Sequence, residues 1–254
     1  MAEGQAKREI EVRALQTAEE FRGCVRLQQE IWGFSEEDSL PARLFVVARG
    51  IGGQVFGAFD TSDLVGFCVA LPGMKPGGGH YLHSNMLGVR DAYRDHGLGK
   101  RLKQAQREDA LSRGVGLIEW TFDPFELKNA YFNMERLGAV VRRYVLNQYG
   151  VTSSALHGGL PTDRCTAEWF LASDRAEAAA AGQPVPRPPI EDTIEVRRDF
   201  ADLKRLDPAR ALDAQKQVSQ AFLEAFHRDL VVVGVEKTLA GGRYLLGRWS
   251  PDAF

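Results

Sequence analysis

LHSNMLGVRDAYRDHGLGKRLKQAQREDALSRG, residues 82–114, decides the fold. It reads as a strand, a tight glycine-bearing turn and then a helix. Val89, Arg94, Gly97, Gly99 and Lys100 put two glycines and two cations where the helix begins. The first four N–H groups of a helix have no internal partner, and its dipole adds partial positive charge there. Phosphate oxygens satisfy both. Glycine lets the backbone approach such an anion with no Cβ in the way. A lone Gly-x-Gly also starts ordinary helices. The whole string of Val, four residues, Arg, two residues and Gly-x-Gly, between a strand and a helix, is far more specific.

The chain around it has 254 residues, room for one large domain or one with a small companion. Its 44% hydrophobic and 26% charged residues are those of a globular protein. Net charge is −2 with Lys and Arg spread evenly, which gives no nucleic-acid footprint. No apolar run reaches the roughly 20 residues that cross a membrane, and the N-terminal stretch lacks the apolar core of a signal peptide. Cys24, Cys68 and Cys165 are far apart and without metal spacing, so no metal site is expected. They read as small buried hydrophobes of a cytoplasmic protein.

Taken in order, residues 10–15 alternate as a first strand. Thr17-x-x-Glu20 is a capping box for a helix bearing Phe21, Val25, Leu27, Ile31 and Trp32. Pro41 opens a short helix over 42–49. Strands over 55–59 and 64–71 flank a turn at 60–63. The glycine- and proline-rich stretch 72–79 is expected as a mobile loop. A strand over 117–122 puts Ile118, Trp120 and Phe122 on one face and Glu119, Thr121 and Asp123 on the other. Asp123-Pro124-x-Glu126 is expected to cap a helix that carries Leu127, Ala130, Tyr131, Met134 and Leu137 and ends at Gly138. Strands over 140–149 and 164–171 follow.

Residues 174–192 shift to Ala, Pro and charge, the composition of a linker. Asp207-Pro208 then starts a long helix with Ala211, Ala214, Val218, Phe222, Ala225 and Phe226 as its stripe. A hairpin over 230–235 and 244–246 turns across Gly241-Gly242. The expected domains are therefore 8–173, a linker at 174–192, and a small αββ subdomain over 193–254. Too short to bury much core alone, that subdomain is expected to dock on the main domain or in a homodimer.

The string Arg94-x-x-Gly97-x-Gly99 resembles the pyrophosphate loop of the GNAT acyltransferase superfamily. Glu135-Arg136-Leu137-Gly138 resembles that family's second motif. Trp120 to Pro124, Asn129, Asn133, Leu137 to Ala139 and Leu160 to Arg164 resemble a bacterial subgroup of its predicted acetyltransferases. The resemblance implies an α/β fold, an α+β mixed sheet in the order β-α-α-β-β-β-α-β-α-β-β. It implies acetyl-CoA as co-substrate and transfer of its acetyl group to an amine, of a small molecule or, second, of a protein. It carries over to Arg94, Asp95, His96, Gly97, Leu98, Gly99 and Lys100 at the phosphates, to Leu87, Gly88 and Val89 as backbone partners of pantetheine, and to Asn129.

Chemistry narrows the catalytic candidates. An alkyl amine is about one part in a thousand neutral at pH 7. A positioned base is therefore useful by roughly 10² to 10⁴ in rate. Glu119 is the first candidate, with an ion-paired strand carboxylate as the alternative; His83 is second. The family often has a Tyr acid where this chain has Met134, so either Tyr131 or water protonates the thiolate, or the thiolate, that of a thiol with a pKa of about 8.5, leaves unaided. Arg142, Arg143 and Arg164 read as surface arginines, or as contacts to an anionic acceptor or the cofactor's 3′-phosphate. The rival class is a non-catalytic CoA-binding module.

Overall fold

The computed structural model describes residues 10–150 and 159–251. The expected domain start at residue 8 and the last three residues of the C-terminal segment lie outside the described residues. The chain divides into two units between Ile118 and Glu119.

In the first unit the capping box forms as read. Glu20 N–H donates to Thr17 Oγ1 at 3.2 Å, and Thr17 N–H to the Glu20 carboxylate at 2.9 Å. This starts α1 (Ala18–Trp32), which follows β1 (Ile10–Ala14) and precedes α2 (Ala42–Gly50). Then come β2 (Gln54–Asp60), β3 (Asp63–Met74), β4 (His80–Val89) and α3 (Leu98–Ser112). The strands lie in the order β1-β2-β3-β4, each pair antiparallel. Phe21 and Phe45 of α1 and α2 pack with Phe67 and Val69 of β3, while the intervening Cys68 joins Leu98 and Leu102 of α3. Alternation along a strand thus splits the core into two layers, one on each face.

The expected loop at 72–79 is strand over its first three residues. Pro72, Gly73 and Met74 pair with Leu82, Tyr81 and His80. Proline fits because β2 begins at Gln54, opposite Ala70, so beyond that point β3 has β4 as its ladder partner and an N–H can be spared on the other side. Only residues 75–79 turn, closed by Lys75 N–H to Gly79 O at 2.8 Å.

β5 (Leu117–Phe122), which belongs to the second unit from Glu119 on, leads to α4 (Leu127–Tyr131). Asp123 does not cap that helix. Its Oδ1 accepts Phe125 N–H at 2.8 Å in an Asx turn, and the helix starts later, after Glu126. The same helix widens to π geometry over Phe132–Arg136, with Leu137 N–H bonded to Phe132 O five residues back. Gly138 ends it at φ +76°; a Cβ there would lie 2.4 Å from Arg175 O.

β6 (Val140–Val145), shorter than expected, and β7 (Arg164–Phe170) pair antiparallel. The segment expected as linker contains α5 (Asp174–Ala180), capped by Ser173. Its Arg175 is buried and donates to Gly138 O at 3.3 Å and Val233 O at 2.7 Å, so it staples the segment into the core. Burial pushes this guanidinium down to about 10.

The C-terminal segment gains two elements that its sequence did not announce, β8 (Asp192–Arg197) and α6 (Phe200–Leu206). The expected long helix is α7 (Pro208–His227), capped by Asp207. Its buried stripe runs through Gln215 and Ser219 in place of Ala214 and Val218, because both polar side chains have partners: Pro161 O at 2.8 Å and Asp163 Oδ2 at 2.7 Å. β9 (Val231–Lys237) and β10 (Gly241–Gly247) form the hairpin. Gly241 and Gly242 belong to β10 and the turn is 238–240, since Leu127 packs where a Gly242 Cβ would sit. This unit's strand order is β5-β7-β6-β9-β10-β8.

Candidate active site

Two sets of residues carry chemistry, one in each unit. The first surrounds the start of α3. Gly97 is its N-cap, left-handed at φ +76°, with no side-chain cap and no acidic residue in the first turn. A Cβ at Gly97 would meet nothing within 4 Å, so the glycine answers to the backbone turn and the space outside it is open. Leu98 is buried and anchors the helix from its inner side. Asp95, also left-handed, and His96 are exposed in the turn, while Gly99 and Lys100 are half-buried. Arg94 is held by Val89 O at 3.1 Å and Asp91 at 2.8 Å, with nearly half its side chain exposed. The arrangement is an amide-rich, uncapped helix start beside a fixed guanidinium, which is what a polyanion requires.

β4 leads into this turn through a bulge. Ser84 pairs with Ala70 and Met86 with Val69, leaving Asn85 as the extra residue. The bulge resets the alternation, so Ser84 and, three residues on, Leu87 both face α3. Gly88 faces α1: a Cβ would sit 2.7 Å from Trp32. Val89 is buried. His83 is half-buried opposite Leu71.

Sequence reasoning missed the polar centre under α3. Lys103 is 3% exposed, and its Nζ donates to Ser84 Oγ at 2.7 Å, while Ser84 donates to Gln106 Oε1 at 3.2 Å. Burial pushes the Lys103 ammonium down to about 7, with Cys68 opposing the change. The available signal was helical spacing, since Lys103 and Gln106 share the stripe of Leu102 and Ala110.

The second set lies on the strands of the second unit. Glu119 is 3% exposed and accepts from Arg143 Nη2 at 2.7 Å. Glu168 of β7, equally buried, accepts from Arg142 Nε and Nη2 at 2.7 and 3.1 Å. Both carboxylates are thus ion-paired, which is the alternative reading for Glu119. Thr121, on the same face of β5, hydrogen-bonds Tyr149 at 2.7 Å. Arg164 is buried, 4.0 Å from Asp123 and over the Tyr149 ring.

Tyr131 is elsewhere in this unit. It lines an open groove of about 550 Å³ with Phe125, Phe200 and Lys237, whose Nζ lies 5.5 Å from its ring. Asn129 is exposed on α4. Met134 is fully buried, and so is Asn133, which accepts from Trp120 Nε1 at 3.2 Å. Among the described residues no group of His, Cys, Asp and Glu could hold a metal, and no helix is long and apolar enough to cross a membrane.

Residues 13–138 match the model of the Acetyltransferase (GNAT) family. Arabidopsis thaliana NAA60 in complex with acetyl-CoA is similar in structure, with a TM-score of 0.52 at 14% identity over 64% of this chain and 99% of that one. A GNAT-family acetyltransferase from Desulfovibrio desulfuricans gives 0.51 at 14% identity, over 65% of this chain and 100% of that one. At such identities the likeness is one of fold. No curated protein matches the sequence.

Proposed function

Because the chain carries a GNAT-family acetyltransferase domain over residues 13–138, we propose that it moves the acetyl group of acetyl-CoA to an amine by direct attack in a ternary complex. The observation that carries the reading is the start of α3, an uncapped helix terminus opened by left-handed Gly97 beside Arg94. The amides of residues 97–100, with Arg94, Asp95 and His96 around them, take the pyrophosphate. Backbone groups of Leu87, Gly88 and Val89 take pantetheine by strand-like pairing.

The amine lone pair then attacks the thioester carbon. The carbonyl electrons move to oxygen, where a backbone N–H of β4 holds them. Their return expels CoA thiolate and leaves the amide. Glu119 takes the proton the nitrogen loses, with His83 as the second candidate, and Tyr131 or water protonates the thiolate. Burial pushes the thiols of Cys24, Cys68 and Cys165 up, which supports direct attack over an acyl-cysteine route.

The ion pair between Arg143 and Glu119 favours a second reading, a CoA-binding module without catalysis. Acetyl transfer across a panel of amines separates the two. Glu119→Gln should cut turnover by roughly two to four orders of magnitude with acetyl-CoA affinity unchanged. Undiminished turnover removes Glu119 from the role. Intact acetyl-CoA binding with no transfer to any amine supports the module.

A further inference from the structure

Arg142 and Arg143 lie beyond the residues that match the family, and the reaction above gives them no task. Consecutive residues of a regular strand point to opposite faces. These two nevertheless both reach Glu168, and Arg143 reaches Glu119 as well. A bulge in β6 does this: Val141 pairs with Ala167 and Arg143 with Thr166, leaving Arg142 as the extra residue. Arg142 grips Glu168 with Nε and Nη2, and Arg143 Nη2 lies 2.7 Å from Glu119 and 3.8 Å from Glu168. Phe170 flanks Arg142, ring centre to guanidinium 5.1 Å.

The carboxylates are buried behind and the guanidiniums stand in front, with 37% and 47% of the Arg142 and Arg143 side chains exposed. Leaving a buried carboxylate unpaired is strongly unfavourable. Each arginine is therefore fixed from behind. Arg142 Nη1 and Arg143 Nε and Nη1 have no partner among the described residues. Guanidinium nitrogens only donate, so this outward face presents a pre-oriented row of charged donors. It complements a planar anion and repels a bare ammonium.

We propose that the Arg142–Arg143 pair binds a carboxylate of the acceptor, which makes that acceptor an amino acid or a similar amino-carboxylate. The inference rests on the acetyltransferase reading. Arg143 touches Glu119, the base of that reading, so an anion on its outer edge sits one guanidinium away from the group that receives the amine's proton. Tyr149, held to Thr121 on the same strand face and more than half exposed, offers a wall for the carbon skeleton.

The test uses the full chain and the common amino acids beside their carboxamides, with binding by calorimetry and acetyl transfer both measured. The acids should bind, and be acetylated with kcat/KM, roughly 10- to 100-fold better than the amides. Arg143→Lys, which keeps the charge that Glu119 needs but loses the fork, should collapse that preference. Equal use of acids and amides, or binding of neither, overturns the proposal. So does an Arg143→Lys variant that keeps the preference. If Arg143→Lys weakens CoA but not dephospho-CoA, the anion is the cofactor's 3′-phosphate and the acceptor assignment is overturned. Failure of acetyl-CoA itself to bind sinks the acetyltransferase reading instead, and acid binding by calorimetry still decides whether the arginines form an anion site.

Discussion

Replacing Lys103 by methionine should stabilise the protein, by an amount that depends on pH. In the folded chain Lys103 is buried against Ser84, and burial pushes its ammonium from 10.5 to about 7. The unfolded chain keeps that proton up to about 10.4. Between these limits the unfolded state binds the extra proton, so this group makes stability rise with pH. Below pH 7 both states are protonated and the penalty is full; above about 10.4 both are neutral and it vanishes. A difference of 10.5 − 7 = 3.5 units corresponds to an upper limit on the order of 5 kcal/mol. Methionine keeps the packing volume but deprives Ser84 of a donor, which costs roughly 1 kcal/mol. A net gain of about 2 to 4 kcal/mol at pH 6 is expected, shrinking to nothing near pH 10. Urea titrations of both proteins at several pH values measure the difference, in which all other titrating groups cancel. A variant less stable at pH 6, or a difference constant with pH, would refute the reasoning.

Gly88→Ala should lower stability by roughly 1 to 3 kcal/mol, because its Cβ would press on Trp32 at 2.7 Å and Ile31 at 3.0 Å. An unchanged melting temperature would mean that α1 does not pack that closely on β4. The three cysteines are buried, and burial pushes each thiol up. A thiol reagent at pH 8 should find none of them in the folded protein and all three in urea; prompt reaction of a native thiol would contradict their place in the core.

Local signals in the sequence predicted local structure well. The Thr17–Glu20 box, the start of α3 and the end of α4 at Gly138 were legible because each depends on atoms within one turn of chain. What depended on a neighbour across the sheet was not. Pro72 reads as a loop residue until the end of β2 is known. Asp123-Pro124-x-Glu126 looks like a cap, yet Asp123 closes a turn of its own first. Gly241 and Gly242 read as a hairpin turn, but their missing side chains make room for Leu127 and for the backbone of β8.

The site divides in the same way. The uncapped start of α3 beside Arg94 is a contiguous motif and could be read from spacing. The partners of Glu119 could not, because the bulge that brings Arg142 and Arg143 to one side is a property of the pairing of β6 with β7. Lys103 was passed over because a lysine on a helix ordinarily reaches solvent, whereas here the bulge of β4 places Ser84 under it.

The central claim is that acetyl-CoA binds with its pyrophosphate at the start of α3. Calorimetry with wild type, Gly97→Asp and Gly99→Asp tests it directly, with circular dichroism and a urea midpoint to show that each variant is folded. A carboxylate carried at either glycine position stands against the phosphates and satisfies the amides they need. Each substitution should weaken acetyl-CoA by at least roughly 10-fold, and far more than it weakens the fold. Wild-type affinity in both folded variants would contradict the account.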